Sequence, residues 1–315
     1  DEDTLAARIG EEAGRPFVLD SELPVRAVLF ELAPNEHVLL LVMHHIASDG
    51  WSNTPLMRDL GIAYGGRIEG GAPGWEPLPV QYADYTLWQQ EVLGDADDPD
   101  SVLSSQLDFW KDALAGLPDE VSLPADRPRP AVASYRGATH TVSCPAETHQ
   151  ALTALARETG TTFFMVAQAA VAALLTRSGA GTEIAIGSLV AGRGDEALDD
   201  LVGFFVNTLV MRGDCSDDPT PAALLARTRE RVLEAFSHQS LPFGRVVEAL
   251  SPERDLARNP LVQVLYTHTD ISGSAFDLGR ATGTPFRIDL TTAQFDLTLD
   301  LRDGDGRTEL AFVYR

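Results

Sequence analysis

Residues 38–52 read Val-Leu-Leu-Leu-Val-Met-His-His-Ile-Ala-Ser-Asp-Gly-Trp-Ser, and their reading decides how the rest of the chain is organised. The apolar run 38–43 has the length and branching of a buried strand. It ends abruptly in a histidine pair, with Asp49 and Gly50 following within one turn's length. Buried strands usually end in solvated turn residues. Two imidazoles at such an end are unusual, and histidine is the side chain whose charge changes near neutral pH. Asp49, four residues beyond His45, is placed to orient that imidazole or to pin the loop that carries it. The chain holds seven histidines, and only His44 and His45 are adjacent.

Working outward, residues 4–14 carry Leu5, Ala6, Ile9 and Ala13 at helical spacing and stop at Gly14. Residues 25–32 read as a strand and 33–36 as a turn, so 38–43 is expected to pair back as a hairpin. Downstream, 54–64 reads as an amphipathic helix, 65–80 as a Gly- and Pro-rich loop, and 82–93 as an aromatic helix. An acidic loop and a helix over 101–115 follow. Pro118, Pro124, Pro128 and Pro130, with charges between them, predict a semi-rigid linker. Beyond it come a strand near 136–143, a helix over 146–159 and an apolar helix over 162–177 that must be buried. Strands near 183–190, 261–266, 295–301 and 308–314 and a helix over 221–236 complete the chain. Both halves mix strands with helices. The expected class is α/β, with an N-terminal lobe 1–117, a linker 118–134 and a C-terminal lobe 135–315.

Composition narrows the function classes. Net charge is −23, from 24 basic and 47 acidic residues, which disfavours a phosphate-binding surface and hence nucleic acid. No apolar run approaches the roughly 20 residues of a membrane helix. Cys144 and Cys215 stand far apart without metal spacing, so a reducing cytoplasm fits. The opening Asp1-Glu2-Asp3 has neither an initiator methionine nor an apolar leader, which reads as a piece of something longer.

Three chemistries compete for the histidine loop. His44, His45 and Asp49 together offer a metal two nitrogens and a carboxylate. Adjacent strand residues point to opposite faces, however, and no metal is expected. A hydrolase triad needs a serine in a strained elbow, and the chain has no Gly-x-Ser-x-Gly. Acyl transfer between two bound substrates needs no protein nucleophile. It needs a positioned base, an oxyanion donor and a channel for both partners.

The segment from His44 to Gly50 resembles the HHxxxDG signature of condensation domains of non-ribosomal peptide synthetases. Four further stretches match in order. They are Tyr82-Ala83-Asp84-Tyr85 with Trp88-Gln89; residues 186–193 with Val202-Gly203-Phe204-Phe205-Val206-Asn207-Thr208; His238-Gln239 with Pro242-Phe243; and Arg254-Asp255 with Asn259-Pro260-Leu261. The upstream motifs and the closing helix of that family are missing, and Leu189 stands where it usually has Pro. The intact histidines exclude a cyclising subtype, and the later motifs look most like a peptide-elongating one.

The resemblance implies two chloramphenicol-acetyltransferase-like lobes set as a V with a central tunnel. Donor and acceptor peptidyl carrier proteins would deliver thioesters on their own 4'-phosphopantetheine arms, the domain itself holding no cofactor. An adenylation domain would adjoin it in a larger chain. His45 is then the residue on the acceptor amine, and Gly50 offers room and an N–H. His44, Asp49 and Arg193 frame the site, Asp49 pairing with Arg193, while Trp51, Ser188 and Asn207 line the tunnel. His238 lies in a matched stretch without chemistry that demands it, and His37, His140, His149 and His268 carry no role. Two alternatives stand beside this: a catalytically silent docking module that recruits a partner enzyme, and an acyltransferase using coenzyme A thioesters.

Overall fold

The computed structural model describes residues 2–250, 255–270, 276–278, 281–286, 292–304 and 307–315. Arg254, one of the motif residues, lies outside them. In chain order the elements are α1 (Glu2–Gly14), β1 (Val25–Ala33), β2 (Glu36–Met43), α2 (Asn53–Ile68), α3 (Tyr82–Leu93), α4 (Val102–Ala113) and β3 (Ala138–Cys144). Then come α5 (Ala146–Glu158), α6 (Phe163–Arg177), β4 (Glu183–Val190), β5 (Asn207–Asp214), α7 (Pro221–Ser237) and α8 (Phe243–Leu250). The last are β6 (Val264–Asp270), β7 (Phe276–Asp277), β8 (Thr282–Gly283), β9 (Leu297–Gly304) and β10 (Arg307–Tyr314). The mixed α/β class agrees with expectation.

The chain divides into two compact units that interleave in sequence. The first takes in described residues of 1–89, 193–206 and 274–288, and the second those of 90–192, 207–273 and 289–315. Residues 118–134 lie inside the second unit. They form neither helix nor strand, yet they are bound along their length. Val121 is buried and its N–H donates to Gln263 Oε1 at 3.0 Å. Arg129 donates to Asp296 and Glu120 at 2.6 and 2.8 Å, and Ala133 N–H to Leu256 O at 3.0 Å. The prolines thus stiffen a strap laid on one unit.

In the first unit β1 and β2 pair antiparallel, Val25 opposite Met43 and Phe30 opposite Val38. Alternation puts Val28, Phe30, Val38 and Leu40 on one face, where Leu5 and Ile9 of α1 cover them. The strand therefore ends with His44 opposite the start of β1, its N–H donating to Pro24 O at 2.9 Å. Segment 193–206 carries one 3₁₀ turn, Glu196–Leu198. Its Leu198, Leu201 and Phe205 pack with Tyr85, against Val80 and Tyr82.

The second unit is built on a six-stranded sheet of order β3-β10-β9-β6-β4-β5. β6 runs parallel to both β9 and β4, and the other neighbours are antiparallel. One core joins Val166, Ala169, Val171, Ala172 and Leu175 of α6 to Ile184, Ile186, Val264 and Leu299. A second joins Leu103 and Trp110 of α4 and Val246 of α8 to Ala185, Leu209 and Met211. Ile184 and Ala185 fall in different cores, as strand alternation requires. The apolar helix read over 162–177 is α6, capped at Thr162, whose hydroxyl accepts from Met165 N–H at 3.2 Å.

Candidate active site

The site is assembled inside the first unit, from the turn after β2 and from segment 193–206. The chain leaves β2 at Met43 and folds into a 3₁₀ turn, His45–Ala47. His44 caps that turn, with Nδ1 accepting from Ile46 N–H at 3.1 Å. Its ring meets Phe17 edge-on at 6.0 Å. His45 has the opposite arrangement. Its Nδ1 lies 2.7 Å from Ser48 O, and a carbonyl can only accept, so Nδ1 carries the hydrogen. Nε2 of His45 then bears the lone pair, while in His44 Nδ1 bears it. The two adjacent imidazoles are held in opposite tautomers by their local turns. The exposed ring of His45 stands edge-to-face on Phe204, centroids 5.0 Å apart.

Asp49 makes no hydrogen bond to the imidazole. Its side chain is 0% exposed, and four donors surround it. Oδ1 accepts from Ser52 N–H and Ser52 Oγ, both at 2.9 Å. Oδ2 accepts from Phe205 N–H at 2.9 Å and Val206 N–H at 3.0 Å. The expected partner, Arg193, is present with a side chain 5% exposed, its Nη2 3.6 Å from Oδ1. A buried carboxylate needs such donors to offset lost hydration. The amides and the hydroxyl supply the shorter contacts, and Arg193 supplies the compensating charge.

Ser52 is the residue that sequence reasoning missed. It is fully buried. Its Oγ lies 2.9 Å from Gly203 O as well as from Asp49 Oδ1, and it accepts from Gly203 N–H at 3.1 Å and Arg193 Nη2 at 3.0 Å. The signal was a serine three residues after an aspartate at a helix start, the usual place for such a reciprocal bond. Arg193 also donates to Leu198 O, and its guanidinium lies 4.1 Å over the Phe205 ring.

Residues 202–206 have no strand geometry, although 207–214 form β5. The amides of Gly203, Phe205 and Val206 are donated to Ser52 and Asp49, leaving none of the three for a ladder. Gly203 is required by closeness. A Cβ there would lie 2.4 Å from Tyr82 Cδ2 and 2.8 Å from Phe205 Cε2. Tyr82 donates from its phenol to Phe204 O at 2.7 Å. Burial, and next the Asp49 charge, push its ionisation above the ordinary tyrosine range, so the donor proton is retained. Tyr85 is pushed the same way by burial first, and Gln89 Nε2 donates to its oxygen at 2.9 Å.

The other expected residues fall as follows. Gly50 is exposed, with nothing within 4 Å of where a Cβ would stand. Trp51 is 42% exposed. Ser188 and Asn207 belong to the second unit. Ser188 is 2% exposed and its hydroxyl donates to Tyr266 O at 3.1 Å. Asn207 donates to Gln239 O and Leu241 O at 2.9 and 2.7 Å and accepts from Thr208 N–H and Phe243 N–H, both at 2.9 Å. Its amide is thereby spent on the loop before α8. His238, in the same loop, stacks on Phe109 at 3.6 Å. A cavity of about 1070 Å³ in the second unit, lined by Leu117, Val210, Val247 and Leu261 among others, includes none of the site residues. No cluster of three metal-ligating side chains occurs among the described residues. No single helix among them is long and apolar enough to cross a membrane.

Comparison with known proteins identifies the family. Residues 1–315 match the family model for the condensation domain. Over 297 residues the chain is 51% identical to CymA of Salinispora arenicola, described as a probable non-canonical nonribosomal peptide synthetase, covering 94% of this chain and 4% of that protein. It is 47% identical over 301 residues to an isonitrile lipopeptide synthase of Mycobacterium tuberculosis, covering 96% of this chain and 12% of the other. The chain therefore spans a small part of these relatives. The X-domain from teicoplanin biosynthesis superposes with a TM-score of 0.93 at 35% identity, over 99% of this chain and 71% of that one. The same domain in complex with OxyB gives 0.91 at 34%, over 99% and 69%.

Proposed function

The chain belongs to the condensation-domain family, and from that premise we propose that it forms an amide between two carrier-bound thioester substrates. The observation that carries this reading is the free Nε2 of His45, presented by a tautomer fixed at Ser48 O. In the proposed step the acceptor's α-amine attacks the carbonyl carbon of the donor thioester. The C–N bond forms and the oxygen takes up negative charge. Nε2 accepts the proton shed by the amine, the tetrahedral adduct collapses with loss of the C–S bond, and the leaving thiolate takes that proton from Nε2. An α-amine has a pKa near 8, so part of it is neutral at pH 7 and positioning carries much of the work. Gly50, open above its Cα, gives the thioester room and offers an N–H to the oxyanion. Donor and acceptor peptidyl carrier proteins, each with its own phosphopantetheine arm, are the proposed partners. An adenylation domain is the proposed neighbour, and the cytoplasm the proposed setting.

The test is single-turnover amide formation between two loaded carrier proteins. His45→Ala is expected to lower the rate by about 10²–10⁴-fold, leaving carrier loading and melting temperature unchanged. An unchanged rate refutes the assignment. The likeness to the teicoplanin X-domain, which has been seen in complex with OxyB, favours a second reading as a recruiting module without chemistry. Absence of amide with the unaltered chain, alongside saturable binding of a partner enzyme, selects that reading. Turnover of soluble acyl-coenzyme A would instead select a carrier-independent acyltransferase.

A further inference from the structure

Asp49 is buried beside the histidine loop yet makes no hydrogen bond to His45. Its hydrogen bonds run to Ser52 and to the amides of Phe205 and Val206. Those amides flank one residue from the C-terminal side, and Tyr82 holds the carbonyl of that same residue at 2.7 Å. The residue is Phe204. Its backbone is fixed on both sides, and the residue is 43% exposed. What it meets is the imidazole of His45, edge-to-face at 5.0 Å.

The ring hangs on its own rotatable Cα–Cβ and Cβ–Cγ bonds, and the single Nδ1–Ser48 hydrogen bond is what stops them turning. A second contact, edge-to-face with Phe204, restricts the same rotations and so keeps Nε2 aimed. We infer that Phe204 is the positioning residue through which the Asp49–Ser52–Arg193 clamp acts on His45. The inference rests on the reading of His45 as the reacting group, but its structural half stands apart from it. The aromatic side chain presents an apolar wall beside the imidazole, and the clamp sets where that wall stands.

Two measurements test it. The first needs no turnover. In the chain labelled with ¹³C and ¹⁵N histidine, and assigned by His45→Ala, the ring nitrogens of His45 should report a single Nδ1–H tautomer. Phe204→Ala should move both nitrogens toward averaged positions, and Phe204→Tyr should restore them. Phe204→Leu, which keeps bulk without a ring, should resemble Phe204→Ala and guards against loss of fold. In the Phe204→Ala background Asp49→Asn should add no further change at His45. Unchanged His45 signals in both Phe204→Ala and Phe204→Leu overturn the proposal.

The second measurement is amide formation. Misplacement of a reacting group by about 1 Å costs on the order of 10²-fold, so Phe204→Ala should lower kcat at least about tenfold. KM should stay within about twofold, since the loss falls on the transition state. Val202→Ala, a truncation of another exposed residue on the same segment, should leave both unchanged. A rise in KM at constant kcat would overturn the positioning role. If the unaltered chain makes no amide, the functional reading fails and the tautomer experiment still decides for or against Phe204.

Discussion

Replacing Asp49 by Asn removes one charge and exchanges one acceptor oxygen for a donor, at a site where every surrounding group donates. With the NH₂ in the place of Oδ2, it faces the N–H groups of Phe205 and Val206, which now lie at 2.9 and 3.0 Å. With the NH₂ in the place of Oδ1, it faces Ser52 N–H at 2.9 Å and turns toward Arg193 Nη2 at 3.6 Å. Neither orientation keeps all donors satisfied. Hydrogen bonds to a charged group contribute about 1.5–3 kcal/mol each, and the loss includes the cost of leaving a donor dry. Arg193 meanwhile stays buried without its counter-charge, a change that typically costs about 3–5 kcal/mol. These terms overlap, so the expected destabilisation is about 3–5 kcal/mol, against total stabilities of about 5–15 kcal/mol. Urea unfolding reads it as a shift of the midpoint by about 1–2 M at unchanged slope. A double-mutant cycle with Arg193→Met then separates the two contributions. The amides and Ser52 are closer to the carboxylate than the guanidinium is. Asp49→Asn should therefore still cost more than half its full amount in the Arg193→Met background. A loss below about 1 kcal/mol, or one that vanishes once Arg193 is gone, refutes the view that backbone amides dominate this clamp.

Two further outcomes are expected. Gly203→Ala should lower the melting temperature by several degrees, since its Cβ would stand 2.4 Å from Tyr82 Cδ2 and overpacking costs about 1–3 kcal/mol; an unchanged melting temperature would show that Tyr82 gives way freely. Asp214 is held below the usual carboxylate range, first by the Ser216 hydroxyl and then by the Ser216 amide, Arg227 and Arg212, with burial opposing. A depressed folded-state pKa gives stability that is present above the unfolded value near 4 and is lost as pH falls through the folded value. Ser216→Ala should raise the Asp214 pKa measured by NMR and flatten the acid limb of the stability–pH curve; an unmoved pKa would refute the hydroxyl's role.

Much of the scaffold was legible because its signals are local. The 38–43 run and the apolar stretch of α6 each state their own geometry within a few residues. Two things were not legible for the same reason. α8 begins at Phe243, after a loop secured by Asn207 some 36 residues away, and short periodicity does not see such a tie. Residues 202–206 look like the start of a strand by composition, but their amides are claimed by Asp49 and Ser52 more than 150 residues earlier. Motif resemblance brought Asp49 and Arg193 together correctly. It was silent on Ser52, because a small hydroxyl in a signature says nothing about how many groups converge on it.

The interleaving of the first unit sets an order of events during synthesis. The histidine loop and α2 leave the ribosome well before Phe205 and Val206 exist to meet Asp49. At about 5–20 residues per second, the intervening stretch of more than 100 residues takes on the order of ten seconds to appear. During that interval Asp49 can stay hydrated only if its loop stays open. The second unit's first strands and helices emerge in the meantime and are free to condense. The histidine corner of the first unit is thus closed late, by a short strip of backbone.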